Sequence, residues 1–507
     1  MNTKQHSTMK KRGSSDVSYL GRTIDEMIWE FMERKAIPGL TLAIVQAPYI
    51  PRVVGYGFSD DKEKRLASVN TMWPVGPISE GYAAVAIIQL YEDGKLDLDD
   101  EISKFIPEVP KNWKGITVLN LLRHATGISD YREIAEWNPF SSWGFGKLLS
   151  FVESKELAFT PGTDVMLSAT NFLLLTEIIE RVSGKSYHDF VMERQIRFLN
   201  LQYTGFKEDL DNFHHEDVSK TENIHQLFKS NGMYINPTET AGSYDEEGNL
   251  ISKVNSEALK GFSDIWASAQ DVSIWDIALA GSVFIKDIEN RNLIYKPWTL
   301  PNGKEVPAVA GWHFYKHRGL MDIKGSVPGY SVFLSRFTHP EELVCVTLLA
   351  NKEGVDFTNL ARCIAASFGD TLSTNCDDNE LYLREGQFPV DVTVERLENE
   401  LKKREIPLFA KLDHAKNAEG VDLKLRPTTV LVFGSPKVGT LLMQEDQSIS
   451  LELPLKISIW EDEQGSTWLA FPRLINLSKK YNLEEHPVIP KMEQLMESLV
   501  QQASDVY

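Results

Sequence analysis

Apolar residues at Ile24, Met27, Ile28 and Phe31 follow the i, i+3, i+4, i+7 spacing of an amphipathic helix, predicting one over Arg22–Glu33. Leu40–Val45 and Arg52–Tyr56 are apolar runs that read as an antiparallel strand pair. Tyr82–Leu90 is apolar on nearly every side, the pattern of a buried helix, and Gly94 stops it. Asn120–Arg123 and Phe172–Val182 predict further helices. Val332–Arg336 and Leu343–Leu349 predict two strands joined by the polar turn Thr338-His339-Pro340-Glu341. Behind a loose polar segment at residues 1–17, these elements form one large α+β unit over residues 18–368.

Residues 369–390 are polar and acidic, with Asp377-Asp378-Asn379-Glu380, and read as a linker. A smaller α/β unit is predicted over 391–485. Its helix near Val394–Lys403 places Val394, Leu397 and Leu401 on one face. Its strands are Leu408–Leu412, Thr428–Phe433, Leu455–Trp460 and Thr467–Phe471. Ser435-Pro436 has the N-cap and first-turn pattern of a helix start. Residues 486–507 read as a terminal helix and tail.

A length of 507 residues calls for at least two cores. A net charge of −19 argues against nucleic acid or an anionic membrane as a partner, since both demand concentrated Lys and Arg. No apolar run reaches the ~18 residues of a membrane span, and Lys10-Lys11-Arg12 leads into Gly13-Ser14-Ser15 rather than the apolar stretch of a signal peptide. Cys345, Cys363 and Cys376 form no CxxC pair or disulfide framework. The expectation is a cytoplasmic protein. His214-His215-Glu216-Asp217 is the one dense set of potential metal ligands, but adjacent His side chains diverge, so it reads as a solvated loop and no metal or other cofactor is expected.

Several motifs occur in one consistent order: Val75-Gly76-Pro77-Ile78-Ser79-Glu80, Leu90-Tyr91-Glu92-Asp93-Gly94-Lys95, Leu122-Arg123-His124-Ala125-Thr126-Gly127, Pro161-Gly162-Thr163, Ser268-Ala269-Gln270-Asp271 and Val327-Pro328-Gly329-Tyr330. In these the chain resembles the serine β-lactamase and penicillin-binding-protein family, in its class C and esterase-like branch. The resemblance implies an antiparallel sheet flanked by helices plus an all-helical lobe. It also implies a Ser nucleophile with a Lys three residues later on the same helix face.

This chain departs from the pattern at each reacting position. Pro77 stands at the nucleophile and Glu80 at the Lys. The Tyr-Ser-Asn motif that follows Pro-Gly-Thr in the family is replaced by Leu167-Ser168-Ala169. The Lys-Thr-Gly motif falls on Ile323-Lys324-Gly325. Proline has neither hydroxyl nor N–H, so it also removes half of the oxyanion hole that the resemblance implies. Lys324 lies one residue out of register, and alternation along a strand turns it from the cleft. Ser79 is about 200° round the helix from position 77. Ser79, Glu80, Ser168, Lys324 and Gly325 remain as residues that would line a binding cleft, with His124 beside them as a core histidine.

Thr393-Val394-Glu395-Arg396-Leu397, Lys411-Leu412-Asp413-His414-Ala415, Leu425-Arg426-Pro427-Thr428 and Phe433-Gly434-Ser435-Pro436-Lys437-Val438-Gly439 make the C-terminal unit similar to the family called domain of unknown function 302. That resemblance brings no reaction with it. His414, Arg426, Glu461 and Asp462, near strand ends, are its candidate ligand-binding residues. The expectation is a pseudoenzyme: a β-lactamase-like domain holding a small molecule or partner in its cleft, with a homodimer formed through the C-terminal unit. The rival expectations are a hydrolase or lyase with repurposed groups in the same cleft, and a residual serine esterase.

Overall fold

The computed structural model describes residues 13–47, 49–211, 240–244, 250–251, 257–303, 305–306, 309, 312–314, 320–337, 344–369, 381–462, 465–483 and 486–504. These form two compact units. The first runs to Phe314 and takes in Leu320–Phe357 and Ser367–Gly369; the second takes in Thr358–Ala366 and the residues from Leu381 onward.

The first unit is built on strands β1 (Gly39–Gln46), β2 (Tyr49–Asp60) and β3 (Arg65–Leu66), the short strands β4 (Trp73–Pro74), β5 (Thr204–Phe206) and β6 (Ile265–Ala267), then β7 (His313–Phe314), β8 (Leu320–Val327), β9 (Tyr330–Phe337) and β10 (Val344–Ala350). The large sheet is antiparallel in the order β7-β8-β9-β10-β1-β2-β3, and a small sheet has the order β4-β6-β5. All eight residues of β1 are buried, which is why the strand reads as a continuous apolar run rather than an alternating one.

Helix α1 (Ile24–Lys35) starts at a capping box. Thr23 Oγ1 accepts the Glu26 N–H, and Glu26 Oε2 accepts the Thr23 N–H at 2.7 Å. Its buried stripe is Ile24, Met27, Ile28, Phe31 and Met32. Helix α2 (Ile78–Glu92) is buried at every position from Ile78 to Leu90. It packs in the helical lobe with α3 (Val118–Leu122) and α4 (Ala169–Ser183), and meets α5 (Ala269–Ala280), which lies on β1 and β10 of the large sheet. Tyr82 stacks on Trp275 with ring centroids 4.3 Å apart. Ala43, Ile323, Val332, Leu334 and Leu349 from one face of the sheet join the same core, so the first turn of α2 is held against β8 and β9.

The second unit has α6 (Val390–Lys403), α7 (His414–Glu419), α8 (Pro436–Glu445) and α9 (Val488–Ser504) around strands β11 (Leu381–Gly386), β12 (Leu408–Asp413), β13 (Thr428–Phe433), β14 (Leu455–Glu461) and β15 (Thr467–Pro472). The sheet is antiparallel, in the order β11-β15-β14-β13-β12.

Two expected boundaries move. The 369–390 linker contains β11, whose residues pair with β15, and α6 already begins at Val390. The 391–485 unit is not closed without residues 486–504, because Ile489, Met492, Met496, Leu499 and Val500 of α9 complete its core. Thr358–Ala366 groups by its contacts with the second unit, where Asn359 Nδ2 donates to the Leu383 carbonyl.

Candidate functional site

The first turn of α2 carries the position where a nucleophile would be sought. Gly76 adopts a left-handed φ of 51°, and Pro77 follows with helical angles of −60° and −14°. The next amides are consumed locally: Ile78 N–H donates to Val75 O (3.0 Å), Ser79 N–H to Gly76 O (2.9 Å) and Glu80 N–H to Pro77 O (3.1 Å). Pro77 has no N–H, so none of these backbone positions presents a donor to an oxyanion. The Pro77 ring lies against β8: a Cβ added to Gly325 would sit 2.5 Å from Pro77 Cγ. Position 325 therefore accepts only glycine without movement of that ring.

Ser79 is fully buried, and its Oγ accepts the Ile265 N–H at 3.4 Å, on a different face from Pro77. Glu80 is 2% exposed and points into the lobe, where its Oε2 lies 3.3 Å from His124 Nε2. His124 has a left-handed φ of 52° in the turn after α3, which swings its ring inward. Its Nδ1 faces two donors, the Ser168 N–H at 3.3 Å and Asn171 Nδ2 at 3.2 Å. Asn171 Oδ1 is occupied by Thr126 Oγ1 at 2.8 Å, which orients the amide with its nitrogen toward the ring. Nδ1 is thus the acceptor, and Nε2 carries the proton that goes to Glu80. The Ser168 hydroxyl is buried and has no hydrogen-bond partner among the described residues.

The second station is pinned by Asp130, whose Oδ2 accepts the Ala169 N–H at 3.1 Å and pairs with Arg132 at 2.6 Å. Leu167 is half-buried and Ala169 buried, and neither offers a group for proton transfer. At the third station, β8 pairs Ile323 with Leu334, Lys324 with Phe333 and Gly325 with Val332. Gly325 faces Pro77, and Ile323 is buried in the core with the lobe. Alternation puts Lys324 on the opposite face with Ser326, whose Oγ accepts the Gly354 N–H at 2.9 Å. The structure thus gathers Glu80, His124 and Ser168, sets Gly325 against Pro77, and leaves Lys324 and Ser79 outside the group.

Asn171, Asp130 and Asp264 were not singled out from the sequence. Asn171 stands three residues after the N-cap Ser168, a spacing that places both on one helix face and is a readable signal. Asp264 precedes the β6 residue that caps Ser79 and has no such pattern. Burial pushes its carboxyl up to about 7.

Of the four C-terminal candidates, Arg426, Glu461 and Asp462 meet at one end of the sheet. Arg426 Nε donates to the Glu461 carbonyl at 3.2 Å, and Asp462 accepts from Ser466 N–H (2.9 Å) and Trp468 Nε1 (2.7 Å), so both fasten the turns at the Thr428 end of β13. His414 is exposed on α7. An apolar cavity of this unit opens at the other end of β13, beside Phe433 and Gly434. His214-His215-Glu216-Asp217 lies outside the described residues. Among those described, no three His, Cys, Asp or Glu side chains are grouped to hold a metal, and no helix is long and apolar enough to cross a membrane.

Comparison with known proteins also finds two families, the first reaching over the Thr358–Ala366 segment that groups with the second unit. The Beta-lactamase family profile matches residues 24–366, and the profile called Domain of unknown function DUF302 matches residues 384–499. The chain is 26% identical over 314 residues to Penicillin-binding protein 4* of Bacillus subtilis, which covers 59% of this chain and 64% of that protein, so the chain spans under two thirds of that relative's length. The octameric penicillin-binding protein homologue from Pyrococcus abyssi superimposes with a TM-score of 0.57 at 18% identity, covering 88% of this chain and 99% of the other. A class C beta-lactamase superimposes with a TM-score of 0.54 at 18% identity, covering 68% of this chain and 95% of the other.

Proposed function

The chain belongs to the Beta-lactamase family, and from that premise we propose that this member has given up serine acyl transfer and keeps its cleft as a binding surface for a small molecule. The observation that carries the reading is the contact of Pro77 with Gly325, at the place where a reacting hydroxyl and its N–H would be needed. A repurposed enzyme using Glu80, His124 and Ser168 finds less support. Both ring nitrogens of His124 are engaged, Nδ1 by donors and Nε2 by Glu80, so no lone pair is free to take a proton from Ser168. A residual serine esterase would need a hydroxyl on the cleft face of α2, and Ser79 is on another face.

The reading includes self-association through the C-terminal unit, supported by β12. This edge strand exposes Leu408, Phe409 and Leu412 at 40%, 52% and 43%, an arrangement that invites strand pairing. A cytoplasmic location fits Cys345 and Cys363, which are buried and form no disulfide among the described residues.

Intact-mass measurement after incubation with a fluorescent penicillin and with a fluorophosphonate tests the central reading. We expect unmodified protein. A stoichiometric adduct mapped to the cleft around Pro77 would overturn it.

A further inference from the structure

The C-terminal unit contains a cavity of about 600 Å³ between α8, α9 and the Phe433 end of β13, inside the ~300–1,000 Å³ range of small-molecule sites. Its walls include Val438 and Met443 of α8, Leu453 before β14, and Met492 and Leu495 of α9. Val438, Met443, Leu453 and Leu495 pack against the unit's core on one side yet stay partly uncovered on the other, so apolar surface is left facing this space. Two methionines in the wall give it an adaptable surface, suited to a flexible chain rather than a rigid ring. Among the described lining residues the only charged side chain is Lys491, which is exposed and makes no ion pair with any described residue.

We propose that this cavity binds one long-chain aliphatic carboxylate, with the hydrocarbon chain between α8 and α9 and the carboxylate at Lys491 Nζ. An apolar chain removes the uncovered surface from water. A cation at the rim with no acidic partner among the described residues selects an anionic headgroup over a neutral or cationic one, which matters in a protein of net charge −19 that otherwise repels anions. The site lies wholly within the second unit, apart from the cleft around Pro77.

The geometry supplies a blocking variant. A Cβ on Gly439 would meet Leu453 Cδ1 at 3.6 Å and Met443 Cε at 3.9 Å, both ordinary contacts, so a side chain there enters the cavity without displacing the backbone. Gly439 lies within α8, where a larger residue is also a better helix former.

The test is titration of the full chain with cis-parinaric acid, followed by displacement with saturated carboxylates of increasing length and with 1-hexadecanol. We expect saturable one-to-one binding, with affinity rising about fourfold per methylene until the cavity is filled. Gly439→Leu should lose binding at least about tenfold while keeping the wild-type circular dichroism spectrum and melting temperature. Lys491→Glu should weaken the carboxylates about tenfold and leave 1-hexadecanol unchanged. Absence of saturable binding, or binding indifferent to Gly439→Leu, would overturn the proposal. So would occupancy by a second copy, seen as a change of oligomer mass with Gly439→Leu in the absence of probe binding.

Discussion

Glu80 accepts the Nε2 proton of His124 across 3.3 Å in a pocket where Glu80 is 2% and His124 1% exposed. The acidic residue at this helix position is thus committed to a buried partner rather than offered to a cleft. Glu80→Ala removes the acceptor and leaves a buried N–H unpaired, which should cost about 1–3 kcal/mol in urea unfolding. Glu80→Gln keeps an acceptor and should cost less. Equal losses for the two would mean that the bond to His124 contributes nothing.

The same bond bears on restoring the family's reacting groups. Pro77→Ser with Glu80→Lys recreates the expected pair in sequence, but the second change would bring an ammonium against the His124 N–H, a donor already facing that position. Leu167, Ala169 and Ile323 would still provide no proton-transfer group, and Lys324 would still face away. The double variant is expected to hydrolyse a chromogenic ester no faster than a denatured control and to unfold at lower urea than wild type. Clear turnover would mean that the cleft is otherwise intact.

The features legible in the sequence are those set by local periodicity. The stripe Ile24, Met27, Ile28, Phe31 is buried in α1, and the alternation argument that sets Lys324 apart from Gly325 is what β8 displays. Less legible were features that depend on distant partners. Leu381–Gly386 follows a polar, acidic stretch and looks like linker until Leu383 and Glu385 meet Ala470 and Trp468 of β15. Asn171 becomes part of the His124 site only when the fold closes a loop of 47 residues. The cavity beside Gly439 is formed by α9 returning across the unit, a contact between segments distant in sequence that no local pattern marks.

Gly325 and Pro77 give a test of packing in the cleft. Gly325→Ala places a methyl 2.5 Å from Pro77 Cγ and should destabilise by about 1–3 kcal/mol through overpacking. Pro77→Ala removes the obstructing ring, so Gly325→Ala should be much less costly in that background. A coupling of at least about 0.5 kcal/mol in the double-mutant cycle is expected. Strict additivity would show that the two positions are not in contact.

Leu412, 43% exposed on the edge strand β12, is suited to testing association because its substitution leaves the core of the unit untouched. Leu412→Lys puts charge on the open edge, a common means of blocking strand pairing. Sedimentation should show wild type as a dimer and the variant shifted toward monomer, with unchanged melting of the isolated protomer signal. A monomeric wild type at all concentrations would remove β12 as an interface.

Stability should fall as pH rises toward neutrality, and Asp264 should account for much of the fall. Its carboxyl is buried, pushed up to about 7 by loss of solvent, against backbone N–H groups and Lys260 that favour its charged form. Oδ2 accepts the Gly261 N–H at 2.9 Å, whereas Oδ1 has no partner among the described residues, an arrangement suited to the neutral acid. Between pH about 4 and 7 the folded chain therefore holds a proton that the unfolded chain has released. The stabilisation is complete below the unfolded value and is lost as pH climbs through the folded one, an effect on the order of 4 kcal/mol. Asp271, pushed up to about 6 by burial, adds a change of the same sign in an overlapping range. His188 is held up to about 9 by its bond to Asp209, so its contribution begins to be lost above about pH 6.5, adding a decline of the same sign to both proteins in the upper part of the range. Asp264→Asn keeps an acceptor for Gly261 but cannot ionise. Urea midpoints measured from pH 5 to pH 8 should decline for wild type and stay flatter for the variant, the two profiles converging toward acid; parallel profiles would mean that Asp264 is not the group that titrates.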